Sequence, residues 1–244
     1  MRLKDEVTYC KYCRRVLPRE MSDYHPECAE EFATDLVEVD GLLLNKADAE
    51  VIIELRNEYN LENQLELTYF PDLSGTACYY VEAGFITMLN IKFNCDPSQY
   101  GGGLKRFPDC IYRLKKLRVL WIKTLGIKDP FTLPEDFGRL KSVEHLRLFA
   151  CSLPKIPDPI FELTNLTHLD LSTNLITSVP DKIRELKNLK VLNINCNPLE
   201  DLGEGLWELK HLEVLDIRTT NLSDDNIEDA RRRVQVKYND QKSF

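Results

Sequence analysis

The chain has 244 residues, of which 43% are hydrophobic and 30% charged, and its formal net charge is −8. Those fractions fit a folded protein and exclude wholesale disorder. No run approaches the ~18 apolar residues of a membrane helix, so no membrane association is expected. An acidic chain repels nucleic-acid phosphates unless a basic patch gathers locally.

The first five residues, Met1 to Asp5, are charged and lack an apolar h-region, so no secretory signal is expected and the chain reads as cytoplasmic. In that reducing setting, clustered cysteines point to metal rather than to disulfides. Residues Cys10-x-x-Cys13, then eleven residues, then His25-x-x-Cys28 give two ligand pairs of the spacing zinc uses. Pro26 suits the first position of a helix whose face is Ala29, Phe32, Ala33 and Leu36. The arrangement resembles a small treble-clef or zinc-ribbon finger over residues 1–40. All four positions are filled by protein, so one structural Zn2+ per chain is expected, with no place left for a reacting water. Lys11, Arg14, Arg15 and Arg19 form a patch without an acid inside it. Residues 1–40 nevertheless carry six basic and ten acidic side chains, so a solvated finger surface is expected rather than a nucleic-acid contact.

Residues 41–85 read as an N-terminal cap for the remainder of the chain. Asn45-x-x-Asp48 opens a helix with Val51, Ile52, Leu55 and Tyr59 on one face. Tyr79 to Glu82, turning at Ala83-Gly84, is expected to hairpin into the next strand.

Leucine fills 37 positions, and from residue 86 it repeats. The pattern apolar-x-x-apolar-x-apolar recurs at Ile86, Leu117, Val143, Leu166, Leu189 and Leu212, with offsets of 31, 26, 23, 23 and 23. Between copies lies a second motif, as in Leu133-Pro134-x-x-Phe137-x-x-Leu140 and Val179-Pro180-x-x-Ile183-x-x-Leu186. Alternating apolar residues give a short strand with one buried face; the proline-led part has helical or 3₁₀ spacing. One coil cannot bury its own leucines, so the core must come from stacking.

Together these motifs resemble the leucine-rich repeat family, with the 23-residue pattern LxxLxLxxNxLxxLPxxIxxL. The resemblance implies an α/β fold: a right-handed solenoid over residues 86–222, with a parallel concave sheet and a cap at each end. Asn94, Asn174 and Asn197 occupy the asparagine column, while Leu125, Cys151 and Thr220 replace it elsewhere. Residues 223–244 read as the C-terminal cap, with Ser223 before a helix to about Arg233 and then an alternating Val234-x-Val236-x-Tyr238 strand.

The x positions of each strand face away from the core and are free to bind. On that face Trp121, Lys123, His145, Arg147, Phe149, His168 and Asp170 form the candidate partner-binding surface, because Trp, Phe and Arg have no core duty there and anchor interfaces well. His145 and His168 would make a metal site only if a third ligand such as Asp170 converged on them. No nucleophile elbow, P-loop or HExxH motif occurs, so an enzyme is not expected.

The reading is therefore a protein-interaction scaffold or adaptor that binds a protein partner on the concave face. The repeat motif is similar to intracellular leucine-rich repeat proteins linked to Ras-type GTPases, which implies a small GTPase partner. The alternatives are a nucleic-acid-binding regulator acting through the finger, or a ubiquitin-ligase-like recruiter. The second lacks the eight ligands of a RING domain. A separate expectation concerns the insertion near residues 96–103: folded over the early strands, it would move the open surface to His168, Asp170, Asn193 and Asn195.

Overall fold

The computed structural model describes residues 36–39, 42–58, 66–67, 78–82, 84–94, 107–125 and 131–237. The expected zinc ligands Cys10, Cys13, His25 and Cys28 lie outside the described residues, as do Tyr59, the insertion at 96–103 and the last residues from 238. The chain divides into two compact units, residues 1–89 with 109–117, and residues 90–108 with 118–244.

In the first unit, β1 (Leu36–Val39) and β2 (Leu42–Asn45) form an antiparallel hairpin with Leu36 opposite Asn45 and Val39 opposite Leu42. This corrects one expectation: Leu36 opens a strand and does not sit on a helix face. The helical spacing that ends at Leu36 loses to the hairpin, whose two strands are joined by only two residues. Helix α1 (Lys46–Glu58) follows directly. Asn45 caps it, its Oδ1 accepting the Ala47 N–H at 3.0 Å. Ala49, Val51, Ile52 and Leu55 are buried along one face. Asp48 does not close a capping box: its Oδ2 accepts the Ile86 N–H at 2.7 Å, while the Asn45 N–H goes to the Gly84 carbonyl at 2.8 Å. Burial raises the Asp48 carboxyl to about 6 despite that backbone bond. Strands β3 (Glu66–Leu67), β4 (Cys78–Glu82) and β5 (Phe85–Asn94) are successive neighbours in one sheet, and β5 from Asn90 onward counts with the second unit. Gly84 sits between β4 and β5 at φ 77°, the left-handed conformation that glycine adopts without penalty. A 3₁₀ turn, η1 (Asp109–Arg113), belongs to the same unit.

The second unit is the repeat array. Strands β6 (Val119–Leu125), β7 (His145–Phe149), β8 (His168–Asp170), β9 (Val191–Asn193) and β10 (Val214–Asp216) pair in parallel, one per coil. The register places Leu120, Leu146, Leu169, Leu192 and Leu215 side by side. Each is at most 1% exposed, so the expected strand register holds. A slip by one residue would have turned every leucine to solvent.

The proline-led motifs form 3₁₀ turns, η2 (Glu135–Arg139), η3 (Asp158–Glu162), η4 (Asp181–Glu185) and η5 (Glu204–Glu208). Pro134, Pro157 and Pro180 stand just before η2, η3 and η4 with φ of −68°, −64° and −74°, the value the ring imposes. The fifth turn uses Gly203 instead, at φ 56°. A Cβ there would lie 2.2 Å from the Val179 carbonyl oxygen, so this coil can only pack so closely with glycine. Behind the turns Phe107 and Phe137 meet edge-to-face at 5.1 Å.

Buried asparagines lace adjacent coils together. Asn174 donates to the carbonyls of Leu148 and Leu171, both at 2.8 Å, and accepts the N–H groups of Cys151 and Leu153 at 2.9 and 3.1 Å. Asn197 repeats the pattern toward Leu171, Ile194 and Ile176. Cys151 fills the same column with a weaker donor, its Sγ 3.8 Å from the Ile122 carbonyl. Burial pushes the Cys151 thiol up to about 12. Thr220 closes the column by donating to the Ile217 carbonyl at 2.9 Å.

After the last coil the described residues form one helix and one short strand. Ser223 Oγ accepts the Asn226 N–H at 3.2 Å and starts α2 (Asp224–Arg233). Asp224 and Asp225 at its start and Arg231, Arg232 and Arg233 at its end complement the helix dipole. Strand β11 (Gln235–Lys237) then pairs in parallel with β10, with Val236 opposite Leu215.

Candidate binding surface

Side chains at alternate strand positions point away from the leucine core. Three rows therefore run across the outer face of the sheet. One is Val119, His145, His168, Val191 and Val214; the next is Trp121, Arg147, Asp170, Asn193 and Asp216. The third begins with Lys123 beside Phe149. All seven residues of the expected surface are half-buried members of these rows.

Trp121, Lys123, Arg147 and Phe149 make one cluster. The Arg147 guanidinium lies 5.9 Å from the Trp121 ring centroid and 4.8 Å from that of Phe149, and Lys123 Nζ also sits 4.8 Å from Phe149. Such cation–ring contacts are worth roughly 0.5–1 kcal/mol each when exposed. They hold two aromatic rings and two cations in a fixed pattern at positions the core does not use. Arg147 Nε also lies 3.1 Å from Asp170 Oδ2, as an ion pair, although its N–H points aside and makes no hydrogen bond.

Asp170 has a second duty that sequence pattern did not reveal. Its Oδ1 accepts the N–H of Ser172 at 2.9 Å and the Ser172 hydroxyl at 2.6 Å. Asn193 and Asp216 do the same for the N–H two residues on, at 3.2 and 3.3 Å. Strands β8, β9 and β10 are each three residues long. Trp121 and Arg147 have no such acceptor, and their strands run for seven and five residues. An Asx side chain diverts the next strand N–H to itself and ends the strand early. The signal for this was readable: Asp, Asn and Asp recur 23 residues apart at one strand position.

His145 and His168 stack, with ring centroids 4.1 Å apart and planes inclined by 18°. His168 Nδ1 is 2.9 Å from the Thr167 hydroxyl. Burial lowers both imidazoles below the ordinary histidine range, and His168 lowers His145 further. Asp170, the carboxylate that a metal site would need, is committed to Arg147 and Ser172. Among the described residues no three His, Cys, Asp or Glu side chains converge on a metal-sized site.

Toward β10 the same rows are occupied differently. Arg218 binds Asp216 with both oxygens, Nε to Oδ1 at 2.9 Å and Nη2 to Oδ2 at 2.6 Å, and Asn195 adds a bond at 3.3 Å. Burial raises the Asp216 carboxyl, but these bonds outweigh it and hold it below the usual range. A second small ladder was also missed. Asn165 and Asn188, each just before the first leucine of its repeat, donate to the carbonyls of Lys141 and Thr164 in the preceding coils at 2.8 and 2.9 Å. Among the described residues no helix is long and apolar enough to cross a membrane.

Comparison with known proteins bears on the array. Residues 102–234 match the family described as a leucine-rich repeat region. None of the curated proteins matches the chain. Among solved structures, a leucine-rich repeat protein of Leptospira interrogans is 27% identical, with a TM-score of 0.47, and the match covers 54% of this chain and 34% of that one. Listeria monocytogenes InlP is 29% identical with a TM-score of 0.44, covering 55% and 36%. A plant peptide hormone receptor solved in complex with RGF2 is 23% identical with a TM-score of 0.40, covering 55% and 26%. The matched part of each of these proteins is thus about a third of its length or less.

Proposed function

Because the chain belongs to the leucine-rich repeat family, we propose that it is a protein-recognition scaffold or adaptor that grips its partner on the outer face of the parallel sheet. The observation that carries this reading is the cluster of Trp121, Lys123, Arg147 and Phe149, joined by cation–ring contacts and half-exposed where the core needs nothing. Aromatic and arginine anchors of this kind account for most of the energy of small interfaces. A Ras-type GTPase as the partner rests on the resemblance of the repeat motif alone.

The test is affinity capture with the full chain and with Trp121→Ala. The variant should bind a captured partner at least about fivefold more weakly, the equivalent of ~1 kcal/mol. Its unfolding midpoint should stay that of the wild type. Equal capture by both proteins would move the binding site elsewhere, and an unfolded variant would make Trp121 a packing residue.

We further propose that Cys10, Cys13, His25 and Cys28 hold one structural zinc. The support is the donor set: three thiols and an imidazole in two x-x-spaced pairs suit a tetrahedral ion. Elemental analysis of the purified chain should give close to one zinc, lost in Cys10→Ser. A wild-type chain free of metal, yet with unchanged stability in chelator, would refute it.

A further inference from the structure

Resting on that reading of the sheet face, we propose that Lys123 and Arg147 form a receiving site for a carboxylate carried by an acidic segment of the protein partner, with Phe149 as its floor. Both cations lie 4.8 Å from the centre of the same ring. The ring contacts both, and the carboxylate beside them, Asp170, meets Arg147 only through Nε. The contacts of Lys123 and Arg147 are the ring stacks and the Arg147 Nε beside Asp170, so the Lys123 ammonium and the terminal Nη groups of Arg147 have no protein acceptor among the described residues.

Asp170 cannot serve them. Its Oδ1 is taken by the Ser172 N–H and hydroxyl, and its Oδ2 faces Arg147 Nε. The cluster therefore carries two positive charges against one negative, within a chain whose net charge is −8. The other end of the face shows what a satisfied cation looks like: Arg218 has both oxygens of Asp216. An incoming carboxylate at Lys123 and Arg147 would gain charge-assisted hydrogen bonds in a half-buried place where they are worth more than in open water. It would also relieve the repulsion between two cations sharing one ring.

A protein carboxylate fits better than a nucleic acid. A phosphate backbone binds by spreading many charges over many cations. Here there are two, and the remaining field of the chain is acidic. One or two carboxylates flanked by apolar residues match both the charge of the cluster and the exposed edges of Trp121 and Phe149.

The probe is a display library of random short peptides, panned on the immobilised full chain. Selected peptides should share an Asp or Glu beside an apolar residue. Changing that acid to its amide should weaken binding at least tenfold, and raising the salt concentration should weaken it too. Lys123→Met should reduce binding to the same peptides at least tenfold. Lys123→Glu should abolish it, and a peptide with Lys in place of the acid should restore it. Lys123 lies at a half-exposed strand position, so both variants should unfold at the wild-type midpoint. Peptides that need Trp121 and Phe149 but ignore their own acid and Lys123→Glu would overturn the carboxylate site and leave the binding face intact. Peptides indifferent to Trp121→Ala, Phe149→Ala and Lys123→Glu alike would overturn the face itself. A library yielding no enriched peptide, or oligouridylate that binds through Lys123 and is not displaced by acidic peptides, would also overturn the proposal.

Discussion

Asn174→Ala should destabilise the array far more than its size suggests. The side chain is 5% exposed and joins three segments of two coils. Its amide donates to the Leu148 and Leu171 carbonyls, and its Oδ1 accepts the N–H groups of Cys151 and Leu153. Alanine leaves both N–H groups buried without acceptors. An orphaned buried donor costs roughly 1–3 kcal/mol, so the pair alone costs ~2–6 kcal/mol before the two carbonyls are considered. A loss of about 4 kcal/mol is expected, a large share of the ~5–15 kcal/mol typical of a whole domain. Asn165→Ala is the control, because Asn165 is exposed and makes one bond, to the Lys141 carbonyl at 2.8 Å. It should lose about 1 kcal/mol or less. Urea unfolding of the three proteins measures both. Because repeats interact mainly with neighbouring repeats, a lowered m-value would show the array breaking at this coil, not melting as one. Asn174→Asp should be no better than alanine, since it sets a second oxygen against two carbonyls. If Asn174→Ala falls within a few tenths of a kcal/mol of Asn165→Ala, the ladder contributes nothing and the reasoning fails.

The stacked histidines give a pH dependence with a definite sign. Their folded pKa values lie below the ordinary 6.5, so the unfolded chain binds protons more readily. Their contribution is fully present above about 6.5 and is lost as the pH falls from there through the lower folded values. The charges around them are mixed: Glu144 opposes the lowering of His145 and Arg118 assists it, while Glu213 opposes and Lys190 assists at His168. Asp48 has the opposite sign. Its carboxyl is raised to about 6 from 3.8, so the penalty of burying it charged is relieved as the pH drops through 6 toward 4. On going from pH 7.5 to 5.5 the unfolding midpoint should therefore shift upward, relative to the shift of the wild type, in the double variant His145→Gln, His168→Gln, and downward relative to it in Asp48→Asn. Unchanged pH dependence in both variants would refute these assignments.

Much of the array was legible because its physics is periodic. A leucine every second strand position, in coils that settle to 23 residues after one of 26, leaves one register that buries Leu120, Leu146, Leu169, Leu192 and Leu215 together. The asparagine column was legible for the same reason. Features that depend on a single dipeptide or on a partner from another element were harder to see. Asp40-Gly41 separates β1 from β2 and is the kind of pair that makes two-residue hairpins. Helical spacing from Ala29 to Leu36 hid it. Asp48 looked like a helix-opening acid and instead reaches the Ile86 N–H, a contact 38 residues away that no local pattern encodes. Asp170 looked like a binding residue because its position faces outward, yet half of its capacity goes to ending its own strand.

That competition at Asp170 explains why the two ends of the sheet face have different chemistry. In β8, β9 and β10 the outward position is Asp170, Asn193 or Asp216, and each spends an oxygen on the backbone two residues later. The cation just after β10, Arg218, is drawn into the same turn and neutralised there. Replacing the acid or amide with Trp121 in β6 and Arg147 in β7 removes the acceptor, and those strands extend to Leu125 and Phe149. The extension is what brings Lys123 into register with Phe149 and sets both cations against one ring. Strand termination and binding capacity therefore compete for the same position. Trp121→Asp should shorten β6 and displace Lys123 from Phe149, whereas Trp121→Ala should remove the aromatic anchor and leave Lys123 in place. Hydrogen exchange at the Lys123 and Thr124 amides separates the two effects. Faster exchange in Trp121→Ala than in Trp121→Asp would show that the indole itself, not the lack of an acceptor, keeps the strand extended.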